Sequence, residues 1–132
     1  MGAGLGLDAS WMIDGRFTEK HGAEAAKRLY EAHPDVTAVF AGNDKMALGV
    51  INYLNHTGVR VPQDVSVIGF DDIPYAAFVN PTLSTVHLPL YDVGADACEQ
   101  LIEVIRGKRE KIKTTHPAHL VIRESTALPR SA

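Results

Sequence analysis

One stretch, Val61–Asp72 (VPQDVSVIGFDD), constrains the fold of this chain more than any other. Its centre, Val65–Phe70, is a short and almost unbroken apolar run rich in β-branched residues, which is typical of a strand buried on both faces in a parallel sheet covered by helices. The run ends at Asp71 and Asp72. Because ligands of open α/β sheets bind just beyond the carboxyl ends of the strands, Asp71 is the first candidate for a ligand contact.

Helical and strand-like patterns alternate through the rest of the chain, which predicts an α/β fold with a parallel sheet. In chain order the other predicted elements are a helix Glu19–Ala32, a strand Val36–Ala41, a helix Lys45–Asn55, a strand Leu83–His87, a helix Pro89–Arg106 and a strand His119–Arg123.

The second predicted helix has a capping residue and two apolar stripes. Asn43 or Asp44 can cap its first turn. One stripe can face the sheet, whereas the other, which includes Met46, Val50 and Tyr53, would be exposed in a monomer and indicates a partner surface. A wide contact with the core is the alternative.

Two aromatic positions fall in loops. Phe17 directly precedes the first helix, where its ring can contact a ligand or pack as a hydrophobic staple on the first turn, and position alone favours the staple. Phe78 lies in the loop between two predicted strands.

Composition bounds the function. The 132 residues suffice for one domain, and the net charge of −3 gives no electrostatic footprint for nucleic acid. The single cysteine, Cys98, excludes an internal disulfide. No apolar run is long enough to cross a membrane, so we expect a cytoplasmic protein without a membrane partner.

The motifs of common catalytic and cofactor sites are missing from the sequence. The six histidines show no zinc-site spacing, and no nucleophile elbow or phosphate-binding loop occurs. The glycines of Gly2–Gly6 have neither a strand before them nor a helix start after them, so we predict no dinucleotide site and no other cofactor. Asp71 and Asp72 are adjacent in an extended segment and point opposite ways, so they would not act together on one substrate atom. We therefore predict no enzyme activity, no catalytic residue and no metal.

Three segments together resemble the regulatory domain of the lactose-repressor (LacI/GalR) family of bacterial transcription factors. They are Ala38–Leu54 (AVFAGNDKMALGVINYL), Gly58–Gly94 (GVRVPQDVSVIGFDDIPYAAFVNPTLSTVHLPLYDVG) and His119–Thr126 (HLVIREST). The resemblance implies a periplasmic-binding-protein-like fold with flavodoxin-like lobes, in which a small effector binds between two lobes.

The resemblance also implies the effector site. Phe17 falls where an aromatic ring stacks on the effector, Asn43 where an amide hydrogen-bonds it, and Asp71 where a carboxylate accepts from hydroxyl or ring N–H donors. Leu88 and Leu90 fall at the crossover between the lobes. The implied effector is a sugar or a purine-like molecule.

The chain is much shorter than the family's two-lobed core. By the resemblance, residues 1–87 belong to the C-terminal lobe, 88–117 cross into the N-terminal lobe, and 118–132 return and form a tail. The implied protein is a homodimer, with Met46, Val50, Tyr53 and Phe78 as candidate interface residues, and it reaches operator DNA only through an N-terminal helix-turn-helix. The alternative with the same fold is the periplasmic sugar-binding protein of an importer.

Two expectations follow from this partial coverage. The helix Leu90–Ile105 should pack back on its own sheet or on a second copy, because its large apolar side chains would otherwise face water. Effector binding by this chain should be weak or undetectable, since only one wall of the cleft is present.

Overall fold

The computed structural model describes residues 8–108, 110–111 and 113–129, so Gly2–Gly6 and the end of the tail lie outside the described residues. The elements follow the predicted order. They are α1 (Glu19–Ala32), β1 (Ala38–Phe40), α2 (Asp44–His56), β2 (Ser66–Asp71), β3 (Ser84–His87), α3 (Leu90–Ile105) and β4 (His119–Val121), with short 3-10 turns at Ala9–Trp11 and Pro74–Ala77. The predicted bounds of α1 are confirmed, whereas β1 and β4 are shorter than predicted.

The strands form one mixed sheet in the order β1-β2-β3-β4. The first three strands are parallel, and β4 runs antiparallel to β3. Phe40 lies opposite Ile68, Asp71 opposite His87, and His87 opposite His119. This register brings the carboxyl ends of β1, β2 and β3 to one edge of the sheet.

The core lies between α2 and one face of the sheet. Leu54 of α2 is fully buried, together with Val67 of β2 and Leu83, which directly precedes β3. The expectation that β2 is buried on both faces is wrong for the described residues: Ile68 is only partly buried, and Phe40 beside it on β1 is 64% exposed. The physical reason is that α2, backed by α1, covers only one face of this part of the sheet.

Helix α1 packs against α2 through two glycines. A Cβ atom at Gly22 would lie 2.8 Å from the Met46 Cα, and one at Gly49 would lie 2.9 Å from the Ala23 backbone nitrogen. Real Cβ atoms essentially never approach other heavy atoms so closely, so only glycine permits this helix–helix distance.

This close packing corrects part of the predicted dimer surface. Met46 and Val50 are buried in the hydrophobic core on the side of α2 that meets α1, and Tyr53 is partly buried against the same core. The stripe is therefore a wide core contact, which was the alternative expectation. Phe78 remains exposed.

Helix α3 stands apart from the α1–α2 layer and the sheet, within the part of the chain that the structure describes. Its one buried residue, Gln100, hydrogen-bonds Thr114 and the Lys113 backbone N–H in the segment that follows it. Apolar side chains such as Ile105 are exposed. Of the two expected partners of this helix, its own sheet is the wrong one, because the segment after the helix covers its polar side and leaves the apolar side open. Packing on a second copy stays a prediction.

Candidate effector site

The candidate site lies at the carboxyl edge of the parallel strands, where three of the predicted residues are placed by the starts of helices and the end of a strand. Phe17 precedes the Thr18 cap of α1, Asn43 caps α2, and Asp71 ends β2. Phe40 lies opposite Ile68 in the parallel β1–β2 pair, so Asn43 follows the carboxyl end of β1 at the same edge of the sheet where Asp71 ends β2. The sequence prediction of a shared edge is thus consistent with the fold.

Asn43 joins the starts of the two helices. Its Oδ1 accepts a hydrogen bond from the Met46 backbone N–H at 2.8 Å, which satisfies one of the unpaired amides of the first turn. Its Nδ2 donates to the Phe17 carbonyl oxygen at 3.2 Å. Because a side-chain amide carries two N–H groups, one remains to donate to a ligand.

Phe17 presents its ring to solvent. The side chain is 67% exposed, and its Cε1 atom lies 3.7 Å from where a Cβ of Gly42 would be. The ring therefore lies beside the Gly42–Asn43 turn rather than packing as a buried staple, and it is available for stacking.

Asp71 is a partly buried carboxylate with no hydrogen-bond partner among the described residues. Its backbone has a φ of 116°, a conformation that side-chain-bearing residues rarely adopt. Burial, and then the nearby negative charge of Asp44, raise the pKa of Asp71 above its usual range. A carboxylate held in this way gains from any ligand that donates hydrogen bonds to it.

Asp44 is fully buried beneath this edge and serves the fold. Its Oδ2 accepts from the Ile73 backbone N–H at 2.8 Å, and its Oδ1 accepts from the Thr85 hydroxyl at 2.5 Å. A Cβ at Gly69 would lie 3.2 Å from the Asp44 Cα and closer still to its carboxylate, so the glycine within β2 makes room for this side chain. The Asp44 carboxylate thereby fixes the segment that directly follows Asp72.

The adjacent Asp72 has a very different environment. Arg123 Nη2 donates to its Oδ1 at 2.7 Å, and His87 Nδ1 lies 2.9 Å from its Oδ2. Burial alone would raise the pKa of Asp72, but the hydrogen bonds and charges of Arg123 and His87 outweigh it and hold the pKa below the usual range. Since an ionised carboxylate can only accept, His87 Nδ1 is the donor. The His87 ring also lies against His119, with centroids 4.7 Å apart.

Sequence reasoning missed this cluster around Asp72. It gave Asp72 no role of its own and treated His87 and Arg123 only as the ends of predicted strands. The available signal was an Asp pair at one strand end together with an Arg at the end of the last strand, but pairing them requires the strand order.

Leu88 and Leu90 lie just beyond β3, where the chain leaves the sheet. Leu88 is partly buried, and Leu90 begins α3 and is 56% exposed. The described residues contain no cluster of three or more metal-ligating side chains, and no described helix is long and apolar enough to span a membrane.

Comparison with known proteins identifies the class. Residues 2–126 match the model of the periplasmic binding protein-like domain family. The HTH-type transcriptional repressor PurR of Edwardsiella ictaluri is 41% identical over 120 residues, which are 89% of this chain and 35% of that protein. The chain therefore belongs to the periplasmic binding protein-like domain family, in its LacI/GalR group of regulators.

Solved structures of regulators share this fold. A complex of the transcriptional regulator CelR with cellobiose superposes with a TM-score of 0.84 at 36% identity, over 93% of this chain and 38% of that chain. A LacI family regulator from Arthrobacter in complex with lactose gives a TM-score of 0.75 at 38% identity, over 86% and 44%. The chain thus spans less than half the length of each of these relatives. All three are regulators, which argues against the alternative of an importer's binding protein.

Proposed function

We propose that this chain is the effector-binding and dimerising part of a LacI-type transcriptional regulator, and that its effector is a sugar. One observation carries the proposal: at one edge of the sheet, the exposed ring of Phe17 lies with the Asp71 carboxylate and one Asn43 N–H, neither of which has a hydrogen-bond partner among the described residues. A sugar offers hydroxyl donors to a carboxylate and an apolar face to an aromatic ring. Relatives in complex with cellobiose and lactose support this choice over a purine-like effector.

We assign Leu88 and Leu90 to the crossover side of the same site. Residues 1–87 and 118–132 then form the C-terminal lobe, and 88–117 cross to a second lobe. The separation of α3 from the α1–α2 layer and the sheet, and its bonds to the segment that follows it, support this division. The second lobe would supply the other wall of the cleft.

Protein NMR on this chain tests the effector assignment, because it detects millimolar binding. We expect cellobiose or lactose at tens of millimolar to shift the signals of the Asn43 side-chain amide and the Phe17 ring. The Asp71→Asn variant should lose these shifts, whereas Asp35→Asn, a matched change of an exposed carboxylate in the loop before β1, should keep them. If adenine or hypoxanthine shifts these signals and neither sugar does, the effector is a purine-like molecule and not a sugar. Shifts that are unchanged in Asp71→Asn would contradict the site.

We further propose a homodimer, with the interface moved to the face around the Pro74–Ala77 turn. Tyr75 is 61% exposed and Phe78 is 80% exposed, and a groove of about 570 Å³ lies beside Tyr75 between α1 and α2, lined by Leu48 and Ile73 among others. An exposed ring beside a groove suits a two-fold contact, in which the ring of each copy inserts into the groove of the other.

Sedimentation velocity tests this interface. Phe78→Ser should shift the chain toward monomer, whereas Phe40→Ser removes a similarly exposed ring from the open sheet face and should leave the dimer intact. A dimer lost with Phe40→Ser and kept with Phe78→Ser would place the interface on the sheet instead.

The remaining parts of the proposal follow from the family. The net charge of −3 gives this chain no basic surface for DNA phosphates, so we assign operator binding to an N-terminal helix-turn-helix. We also propose that the protein is cytoplasmic and has no enzyme activity.

A further inference from the structure

The turn that carries the Asp71 carboxylate adopts a conformation that its own residues disfavour. Asp71 has a φ of 116° and Asp72 a φ of 59°, so two successive residues with side chains have positive φ values. Such a conformation persists only where surrounding contacts hold it. The residues that hold this turn therefore determine where the Asp71 carboxylate lies.

Arg123 is the main candidate for that role, because hydrogen bonds fix both its backbone N–H and its guanidinium. Its backbone N–H donates to Ser84 Oγ at 2.8 Å, and its Nη1 donates to the Leu83 carbonyl oxygen at 2.7 Å. The second terminal nitrogen, Nη2, is thereby aimed at Asp72 Oδ1, 2.7 Å away. The guanidinium links Asp72 to the start of β3 as a rigid planar fork.

His87 fixes the second oxygen of the same carboxylate. Its Nδ1 reaches Asp72 Oδ2 from the end of β3, and in the register of the sheet His87 is also the direct partner of Asp71. Hydrogen bonds to both oxygens restrain the Asp72 side chain and thereby favour the positive-φ conformation of its backbone. Neither Arg123 nor His87 has a hydrogen bond to Asp71 among the described residues.

We propose that Arg123 and His87 are positioning residues for the effector-binding carboxylate: by clamping Asp72 from both sides, they hold Asp71 in its partly buried and unpaired position. This inference rests on the proposed role of Asp71 in effector binding. It also ties that carboxylate to both ends of the crossover segment, because His87 ends the strand that leads into it and Arg123 follows the strand that returns from it.

The pKa of Asp71, followed by carboxyl ¹³C NMR in this chain, tests the clamp without any effector. If the turn stays in place in Arg123→Gln, the only effect on Asp71 is the loss of a nearby positive charge, which raises the pKa of Asp71. Release of the turn would instead hydrate Asp71 and lower its pKa toward the usual value of an exposed aspartate. We expect the pKa to fall. Arg60→Gln, which breaks a similar two-bond pair with Asp64 on the surface, should leave it unchanged.

A second pair of variants keeps the test decisive if Arg123→Gln does not fold. His87→Asn places an amide N–H near the position of Nδ1 and should preserve the pKa of Asp71, whereas His87→Ala should lower it. An Asp71 pKa that rises or stays constant in folded Arg123→Gln, or that is the same in His87→Ala and His87→Asn, would overturn the proposal. Failure of sugars to bind would refute the proposed function and leave these titrations interpretable.

Discussion

Replacing Gly49 by alanine tests the helix packing that sets the geometry of the site. A Cβ at this position would lie 2.8 Å from the Glu19 carbonyl carbon and 2.9 Å from the Ala23 nitrogen. These are backbone atoms of α1, so no side chain can rotate away and the two helices must separate. Because Phe17 and Asn43 precede α1 and α2, their hydrogen bond would be strained by the same movement.

The expected size of the effect follows from two opposing terms. Alanine is about 1 kcal/mol more favourable than glycine within a helix. Overpacking that forces a backbone shift costs about 3 kcal/mol. The difference predicts that the free energy of unfolding falls by about 2 kcal/mol, which corresponds to a decrease in Tm of about 8 °C for a chain of this size.

Thermal and urea unfolding followed by circular dichroism measures this difference. Gly94 provides the matched control, since it also lies within a helix but a Cβ there would meet nothing within 4 Å. Gly94→Ala should therefore be more stable than the original chain by about 1 kcal/mol, the helix term alone. Equal stability of Gly49→Ala and Gly94→Ala would refute the conclusion that backbone contact limits the α1–α2 distance.

The remaining predictions concern the carboxylates and the cap of the site. Asp71→Asn should raise the free energy of unfolding at pH 7. The pKa of Asp71 is higher in the folded chain than in the unfolded chain, so its ionisation destabilises the fold as pH rises, and asparagine removes this loss. Asp72→Asn should lower it at pH 7, and the loss should vanish in urea titrations as pH falls through the depressed folded pKa of Asp72. Asp44→Ala should cost about 3 kcal/mol in the same assay, because it leaves the partly buried Ile73 N–H and the buried Thr85 hydroxyl without their acceptor. Asn43→Ala should cost about 1 kcal/mol through loss of the helix cap, whereas Asn43→Asp keeps the cap acceptor and should restore most of it.

The sequence predicted the elements and the edge of the sheet, because both depend on local patterns. Thr18 and the apolar spacing after it define α1, and the run before Asp71 defines β2. The residues at strand ends followed from the general rule for α/β sheets. Burial on both faces of β2 was predicted wrongly, since the pattern of one strand does not show how many helices cover the sheet.

The pairing of side chains from distant parts of the chain was beyond the sequence pattern. Met46 and Val50 have the spacing of an exposed stripe, and only the glycines of the α1–α2 contact show that this stripe is buried. In the same way, Asp71 and Asp72 are chemically identical neighbours in the sequence. Their difference arises from Arg123, which is 51 residues away from Asp72 along the chain and comes beside it only through β3–β4 pairing.

In the proposed site, the contrast between these two aspartates would let one short turn be held in place and still offer a carboxylate to an effector. Asp72 is ionised and paired, which supplies the contacts that hold the positive-φ turn. Asp71 is left unpaired and partly desolvated, so its charged form is disfavoured until a donor arrives. An effector that donates hydroxyl hydrogens to Asp71 recovers part of this unfavourable energy on binding. A turn in which both carboxylates were paired internally would be more stable, but it would have nothing left to offer a ligand.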